Sequence, residues 1–346
     1  AKLNGFPAAR EMIVSISHCW LSPHHPDPDN NLLCELVPAI EKYTEEWEGF
    51  VGSPFYGAFF FAWCSLFQPF HAKSSNGQYH RLTDAQFTEE QKAAHETALA
   101  NMDIWYAHQK TEVWMLTNYY PVQGAPYEMR GWPTWERTVA ELLTNGRKLL
   151  DFGDPNACRT PPLVPEDFAH VIDIKHFTCG ETDKPMVTDN YRRNFSQITA
   201  CVTRLDLTGL SPKDAAIQNE NDDFQPKDLE ELVCQRWGFL QCFSLAKVLP
   251  YCINLERLVL SWRSIDNAGA CALATGLRHC SNLKAVDLRA NQIGNAGAWG
   301  LSDGLKHSSS LRSLNLGKNP IGDDGFLRLR ETLPNVLVNE FSTNSR

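Results

Sequence analysis

The sequence predicts an α/β protein in two parts: a parallel sheet with helices on its faces, then a solenoid of strand-and-helix repeats. Three observations predict it. Residues 255–260 (LERLVL), 283–288 (LKAVDL) and 311–316 (LRSLNL) recur at a step of 28 residues. The phase holds beyond them, in Ile265, Ile293 and Ile321 and in Gly269, Gly297 and Gly325. Upstream, strand-like and helix-like stretches alternate, as they do in a parallel sheet covered by helices. One repeat unit cannot bury its apolar face alone, so neighbours must stack.

Taken in order, residues 12–17 (MIVSIS) read as a first strand, followed by a Pro/His/Asp loop from Ser22 to Asn30 and a helix from Leu32 to Trp47. Phe55 to Cys64 reads as a second strand, aromatic and bounded by Gly and Pro. Residues 73–80 read as a loop, Thr83 to His108 as one helix and Glu112 to Asn118 as a third strand. Pro133 opens a helix to Thr144, because proline is tolerated in the first turn. Four prolines mark 151–165 as irregular, a short helix runs from Pro165 to Ile174, and 177–200 connect to the solenoid. The first repeat begins at Val202 and a degenerate second one spans Leu229 to Cys234. Three regular repeats follow, and Val336 to Phe341 forms a last strand or cap. Parallel strands are expected near 205, 232, 258, 286 and 314. The expected domains are 1–150, a connector over 151–200, and the repeats over 201–346.

Composition narrows the function. The 346 residues carry a net charge of −9 and no Lys/Arg run, which argues against nucleic acid as the main partner. The most apolar run, Phe55 to Trp63, is far shorter than a bilayer span, so no transmembrane segment is expected. The 11 cysteines lack paired CxxC spacing and read as reduced, buried thiols. That implies a reducing intracellular compartment: the cytoplasm in the first instance, or an organelle if a targeting segment before Ala1 was removed.

Candidate chemistry is sparse. His24, His25, Asp27 and Asp29 are metal-ligand types without the spacing that fixes ligand geometry, so they read as a solvated loop and no metal is expected. Cys64 and Ser65 follow the second strand, but no base is identified beside them. Phe59, Phe60, Phe61 and Trp63 form a continuous apolar run, which fits a strand buried on both faces; an aromatic ligand box is the alternative.

In the repeats the leucines point inward and the residues between them line the concave face. These are Arg257, Val259, Ser261 and Trp262; then Ala285, Asp287 and Arg289; then Ser313, Asn315 and Lys318. Asn291 and Asn319 occupy the turn position that bonds neighbouring backbone, a structural role. Trp262 reads two ways, as an exposed anchor flanked by arginine, which is hot-spot composition, or as a ring packed on its neighbouring loop. With Arg257, Asp287 and Arg289 it makes the expected partner-binding surface.

The N-terminal half carries Ser17-His-Cys-Trp20, His25-Pro-Asp-Pro-Asp29, Ala62-Trp-Cys-Ser-Leu-Phe-Gln68 and Arg130-Gly-Trp-Pro-Thr-Trp-Glu136. In strand order and in these motifs, residues 12–145 resemble a TIR-type domain, and more closely the TIR-like and leucine-rich-repeat proteins of protists. Residues 201–341 resemble ribonuclease-inhibitor-type leucine-rich repeats. The resemblance implies a doubly wound parallel sheet and points to Glu136, four residues after Trp132, as the catalytic position of TIR domains that cleave NAD. Such cleavage passes through a cationic sugar, which a carboxylate stabilises; Trp132, with Trp63 and Ser65, would line the nicotinamide site. The other reading of Glu136 is an acid favoured by the helix dipole. Departures from the family pattern cluster at the strand ends: Cys19 for Arg, Ala62 for an acid, Phe67 for Pro and Pro133 for Cys. Loss of polarity there is what a retired active site looks like.

The expected function is therefore protein–protein interaction, as a scaffold or accessory subunit of a larger assembly, with a TIR-like domain that is not catalytic and needs no cofactor. The alternative is a NAD-cleaving signalling enzyme using Glu136, with the repeats as a sensor or assembly module.

Overall fold

The computed structural model describes residues 12–18, 31–51, 57–61, 71–73, 79–81, 88–108, 111–117, 125–143, 149–153, 160–177, 183–209 and 236–339. The chain divides into two compact units: Ala1–Arg137 with Leu150–Asp154 and Ile172–Val187, and Thr138–Leu149 with Pro155–Val171 and Thr188–Arg346.

In the first unit, β1 (Met12–Ser17), α1 (Asn31–Val51), β2 (Gly57–Phe61), β3 (His71–Lys73), β4 (Tyr79–Arg81), α2 (Glu89–Ala100), α3 (Asp103–Ala107), β5 (Thr111–Met115), α4 (Gly131–Leu143) and β6 (Leu149–Asp151) follow in order. The main sheet is ordered β2-β1-β5-β6, with β1 parallel to both β2 and β5. Its central strands are buried on both faces. Val14, Ile16, Trp114 and Leu116 pack with Leu32 and Leu36 of α1. Phe60 stacks on Trp105 at 4.6 Å, and every residue of β5 is buried. Covering both faces requires near-continuous apolar strands rather than alternating ones.

Three local expectations change. The helix expected over Thr83 to His108 breaks at Asn101, whose amide turns back onto the Thr97 carbonyl at 2.7 Å; the chain re-enters a helix at Asp103. Helix α4 starts at Gly131 rather than Pro133, because the Gly131 N–H is already taken by the His176 carbonyl at 2.9 Å. The 73–80 loop is flanked by a short antiparallel pair, β3 with β4.

α5 (Pro165–Asp173) and α6 (Asp183–Cys201), each divided between the two units, precede the repeats, so two helices run through the expected connector. Then come β7 (Arg204–Asp206), α7 (Phe239–Val248), β8 (Arg257–Val259), α8 (Asn267–Leu277), β9 (Ala285–Asp287), α9 (Asn295–Leu305), β10 (Ser313–Asn315), α10 (Asp323–Thr332) and β11 (Leu337–Asn339). The five strands pair in parallel in chain order, with Leu205, Leu258, Val286, Leu314 and Val338 in register. β7 pairs directly with β8, with no strand between them at the place expected near residue 232, and Thr208 meets Ser261 across a separation of 53 residues. Residues 229–234 themselves lie outside the described residues.

Asparagine ladders fix the 28-residue step. Asn291 donates to the Leu260 carbonyl of the preceding repeat at 3.0 Å, and Asn319 to Leu288 at 2.9 Å. Each also bonds its own turn, to Leu288 and Leu316 respectively. A second ladder caps the helices: the Asn267 side-chain oxygen accepts from Gly294 N, and that of Asn295 from Gly322 N, both at 2.8 Å. Helices α7, α8 and α9 approach closely because Gly276 and Gly304 face backbone; a Cβ there would lie 2.4 Å from the Ala246 oxygen and 2.6 Å from that of Ala274. Among the described residues no helix is long and apolar enough to cross a membrane.

Candidate functional site

The repeat strands bury one row of side chains and turn the alternate rows outward. The outward rows line a groove of about 220 Å³ bounded by Arg204, Asp206, Arg257, Asp287, Arg289 and Asn315, among others. Register sorts this face of the sheet into cross-strand rows, of whose residues Leu337 lies beyond the groove. The first runs Arg204, Arg257, Ala285, Ser313, Leu337, and the second Asp206, Val259, Asp287, Asn315, Asn339. Arg257, Asp287 and Arg289, all expected on this face, are therefore brought together.

The second row also does structural work. The Asp287 side chain accepts from Arg289 N at 3.0 Å, Asn315 from Gly317 N at 3.1 Å and Asp206 from Thr208 N at 3.3 Å. Each is a local side-chain turn that ends its strand. Burial pushes the Asp287 carboxyl above the usual range, while Arg289 and Arg257 pull it back. Arg204 is held by Asp206 at 3.0 Å, whereas Arg257 is exposed on the groove face.

Trp262 is not an exposed anchor. It is 8% exposed, and Lys318 lies over its ring at 5.7 Å from the centroid. Trp262, Ala290 and Lys318 are equivalent positions one 28-residue step apart, and all three have left-handed backbone, with φ of 60°, 54° and 58°. The strand exits of these three repeats take that conformation, and non-glycine residues hold it at a cost. The intervening residue being alanine leaves the tryptophan a path to the lysine two repeats on.

The sequence reading missed Arg263, which stands one step before Asn291 and takes over its ladder position. Its Nε donates to the Leu207 carbonyl at 2.6 Å, its guanidinium lies 5.0 Å from the Trp237 ring centroid, and its carbonyl accepts from Trp237 N at 2.8 Å. The 28-residue phase was the signal that could have found it.

In the first unit, Glu136 sits in the second turn of α4 and reaches the carboxyl end of β1. Ser17 Oγ donates to its Oε2 at 2.5 Å, and the Tyr127 hydroxyl lies 2.6 Å from the same Oγ. Tyr106, bonded to the Ile16 carbonyl at 3.1 Å, also hydrogen-bonds the carboxyl. Glu136 is 6% exposed, and burial pushes its pKa up to about 8 against the lowering effect of Ser17 and Tyr106. It is therefore mostly protonated at neutral pH. Burial next to this acid also raises Tyr106 and Tyr127. The cluster stands where the strand order reverses between β1 and β5, the place at which open α/β sheets bind ligands. Here that place is filled by two tyrosines and a serine. Sequence reasoning found Glu136 but not these partners, which are 30 and 9 residues before it and, for Ser17, on another strand.

Trp132 is half-buried; its indole N–H donates to Asp183 at 2.9 Å, and its ring meets Trp135 edge-on at 5.9 Å. Trp63 and Ser65, with Cys19, Ala62, Cys64, Phe67 and the His24–Asp29 loop, lie outside the described residues. Cys242, Cys252 and Cys280 are buried thiols whose pKa burial pushes up to about 12, which makes them poor nucleophiles. Among the described residues no three His, Cys, Asp or Glu side chains are grouped to hold a metal.

Comparisons with known proteins bear on the repeats. A Leucine Rich repeat family model matches residues 279–302 and 307–327. No curated protein matches the chain. Among solved structures, leiomodin-1 actin-binding site 2 is 12% identical with a TM-score of 0.31, covering 46% of this chain and 79% of that one. The tropomodulin C-terminal domain of Caenorhabditis elegans is 9% identical with a TM-score of 0.32, covering 44% and 81%. At these scores the likeness says nothing of what this chain binds. The C-terminal region is built of leucine-rich repeats.

Proposed function

We propose that the protein works by binding another protein on the strand face of its repeats, as a scaffold or accessory subunit of a larger assembly. The observation that carries this is the outward face of the β7–β11 sheet. It is a shallow groove bearing charges of both signs, and no helix of the repeats crosses it among the described residues. Mixed charge of this kind sets partner choice and orientation more than strength. Arg257, Asp287 and Arg289 supply the polar contacts, and Trp262 is the buried wall that stiffens the strand exits beside them. The domain division proposed with this is a TIR-like domain over 1–150, a connector over 151–200 and the repeats over 201–346.

In this reading the TIR-like domain is not catalytic and takes no cofactor. A protonated Glu136 offers no negative charge to a cationic sugar, and its carboxyl is committed to Ser17 and Tyr106. One observation favours the second reading, NAD cleavage: Glu136 occupies the sheet's switch point, where a ligand would sit. Two assays separate them. The double variant Arg257→Glu/Arg289→Glu should lose the protein that co-purifies with the native chain, while Glu136→Gln should keep it. Purified protein should release no nicotinamide from NAD; robust release abolished by Glu136→Gln would establish the enzyme instead.

A further inference from the structure

We infer that the turn after α9 binds a phosphoryl group, carried by a small phosphate monoester or by a phosphorylated side chain of a partner. The site is a pocket of about 450 Å³ between the last two helix-to-strand turns, and it shares no residue with the groove of the strand face. One wall is Lys306, His307, Ser308, Ser309, Leu311 and Arg312; the other is residues 332–336.

The pocket exists because the last repeat is short. Val286 and Leu314 pair 28 residues apart, but Leu314 and Val338 only 24 apart. The difference falls largely in the turn. Seven residues, 306–312, join α9 to β10, whereas four, 333–336, join α10 to β11. The shorter turn cannot cover the longer one before it.

The longer turn also departs from its predecessors in chemistry. One step back from Ser308 stands Cys280, whose thiol donates to the Leu249 and Gly276 carbonyls; two steps back stands Cys252, which donates to the Val248 carbonyl. Ser308 Oγ is buried with no partner. Such a group costs free energy that a bound acceptor would recover.

The charge around this hydroxyl has one sign. Lys306, His307 and Arg312 line the pocket and no carboxylate does. Asp303, the acid nearest them on α9, is paired with Arg328 at 3.2 Å. Arg312 gives Nη1 to the Ser309 and Leu311 carbonyls at 2.8 and 3.0 Å, which fixes the guanidinium and leaves Nε and Nη2 for a ligand. A helix C-terminus attracts cations on its own account. That explains Lys306 and His307, but not the unpartnered hydroxyl in the same turn. A phosphoryl group brings up to two charges and three acceptor oxygens, which suit an ammonium, a guanidinium and a hydroxyl together better than a planar carboxylate does. Pro334 and Val336 on the opposite wall offer apolar contact to whatever carries the group.

The test is calorimetric titration of the full chain with inorganic phosphate, phenyl phosphate, and a short phosphoserine peptide beside its unphosphorylated form. The phosphorylated probes should bind saturably and the unphosphorylated peptide should not. Tighter binding of the phosphopeptide than of phenyl phosphate identifies a partner's side chain as the source; equal or weaker binding identifies a small ester. Lys306→Ala and Ser308→Ala, each checked for folding by its melting temperature, should each weaken the tighter probe by about threefold or more. No binding of any phosphorylated probe, equal binding of the two peptides, or unchanged binding in either variant overturns the inference.

Discussion

The two parallel sheets of this chain differ in what they leave open. In the first unit β1 and β5 are covered on both faces, and the strand ends close over Glu136 with Ser17, Tyr106 and Tyr127. In the repeats one face is packed to near-zero exposure at Leu258, Val286 and Leu314, while the other carries a solvated groove. The first arrangement suits a ligand drawn from the strand ends and has filled that place with its own side chains. The second has no interior to offer but presents a surface several strands wide. At the strand ends of the first sheet Ser17 is bonded within the protein, whereas the second sheet turns Asp206, Asp287 and Asn315 toward its groove.

The largest effect that would sharpen this contrast is expected in the repeat ladder. Asn291→Ala removes donors to Leu260, Leu288 and Arg289 and the acceptor for Arg263 N and Ile265 N. Several buried backbone groups lose their partners, at about 1–3 kcal/mol each before relaxation. A loss of about 4 kcal/mol in denaturant unfolding of the repeats is expected; a loss under about 1 kcal/mol would show that the ladder is dispensable.

Next, at neutral pH, is the buried acid. The folded state raises the Glu136 pKa from 4.5 to about 8, so it holds a proton that the unfolded chain has released. Its contribution to stability is therefore greatest below pH 4.5, declines as pH rises, and levels off above about 8. Glu136→Gln keeps the shape without the titration. Relative to wild type it should gain stability steadily across that window, by up to about 5 kcal/mol at pH 9. Parallel stability–pH curves for the two proteins would mean that the carboxyl is not perturbed.

Arg263→Met comes third. It keeps the stem packed on Trp237 but loses the bond to the Leu207 carbonyl, for an expected cost of about 2 kcal/mol. No change in unfolding would remove Arg263 from the ladder. The smallest effect is at Ala290, whose φ of 54° is strained. Glycine relieves roughly 1–2 kcal/mol of strain and adds about 0.5–1 kcal/mol of chain entropy to the unfolded state. Ala290→Gly should therefore be neutral or stabilising by up to about 1 kcal/mol, and a clear destabilisation would mean that its methyl packs in a way the backbone argument omits.

How much of this was legible in the sequence differs between the sheets for a physical reason. The repeats declare themselves because each unit solves the same packing problem, so Leu258, Val286 and Leu314 recur in phase, as do Asn291 and Asn319. The same regularity hid Arg263, a residue of different type doing the ladder's work, and it suggested a strand near 232 between β7 and β8, which instead pair directly. In the first unit the apolar run at Phe59 and Phe60 showed a buried strand. The environment of Glu136 did not show, because Ser17, Tyr106 and Tyr127 meet it across 119, 30 and 9 residues, and no local pattern encodes that meeting. Trp262 was ambiguous for a related reason: its burial depends on Lys318, two repeats away.

The asparagine ladder has a consequence for how the repeats come apart. Asn291 and Asn319 each bond a carbonyl of the preceding repeat as well as their own turn. One repeat cannot open without stripping a buried bond from its neighbour, so the repeats from β8 to β10 should melt together rather than peel off singly.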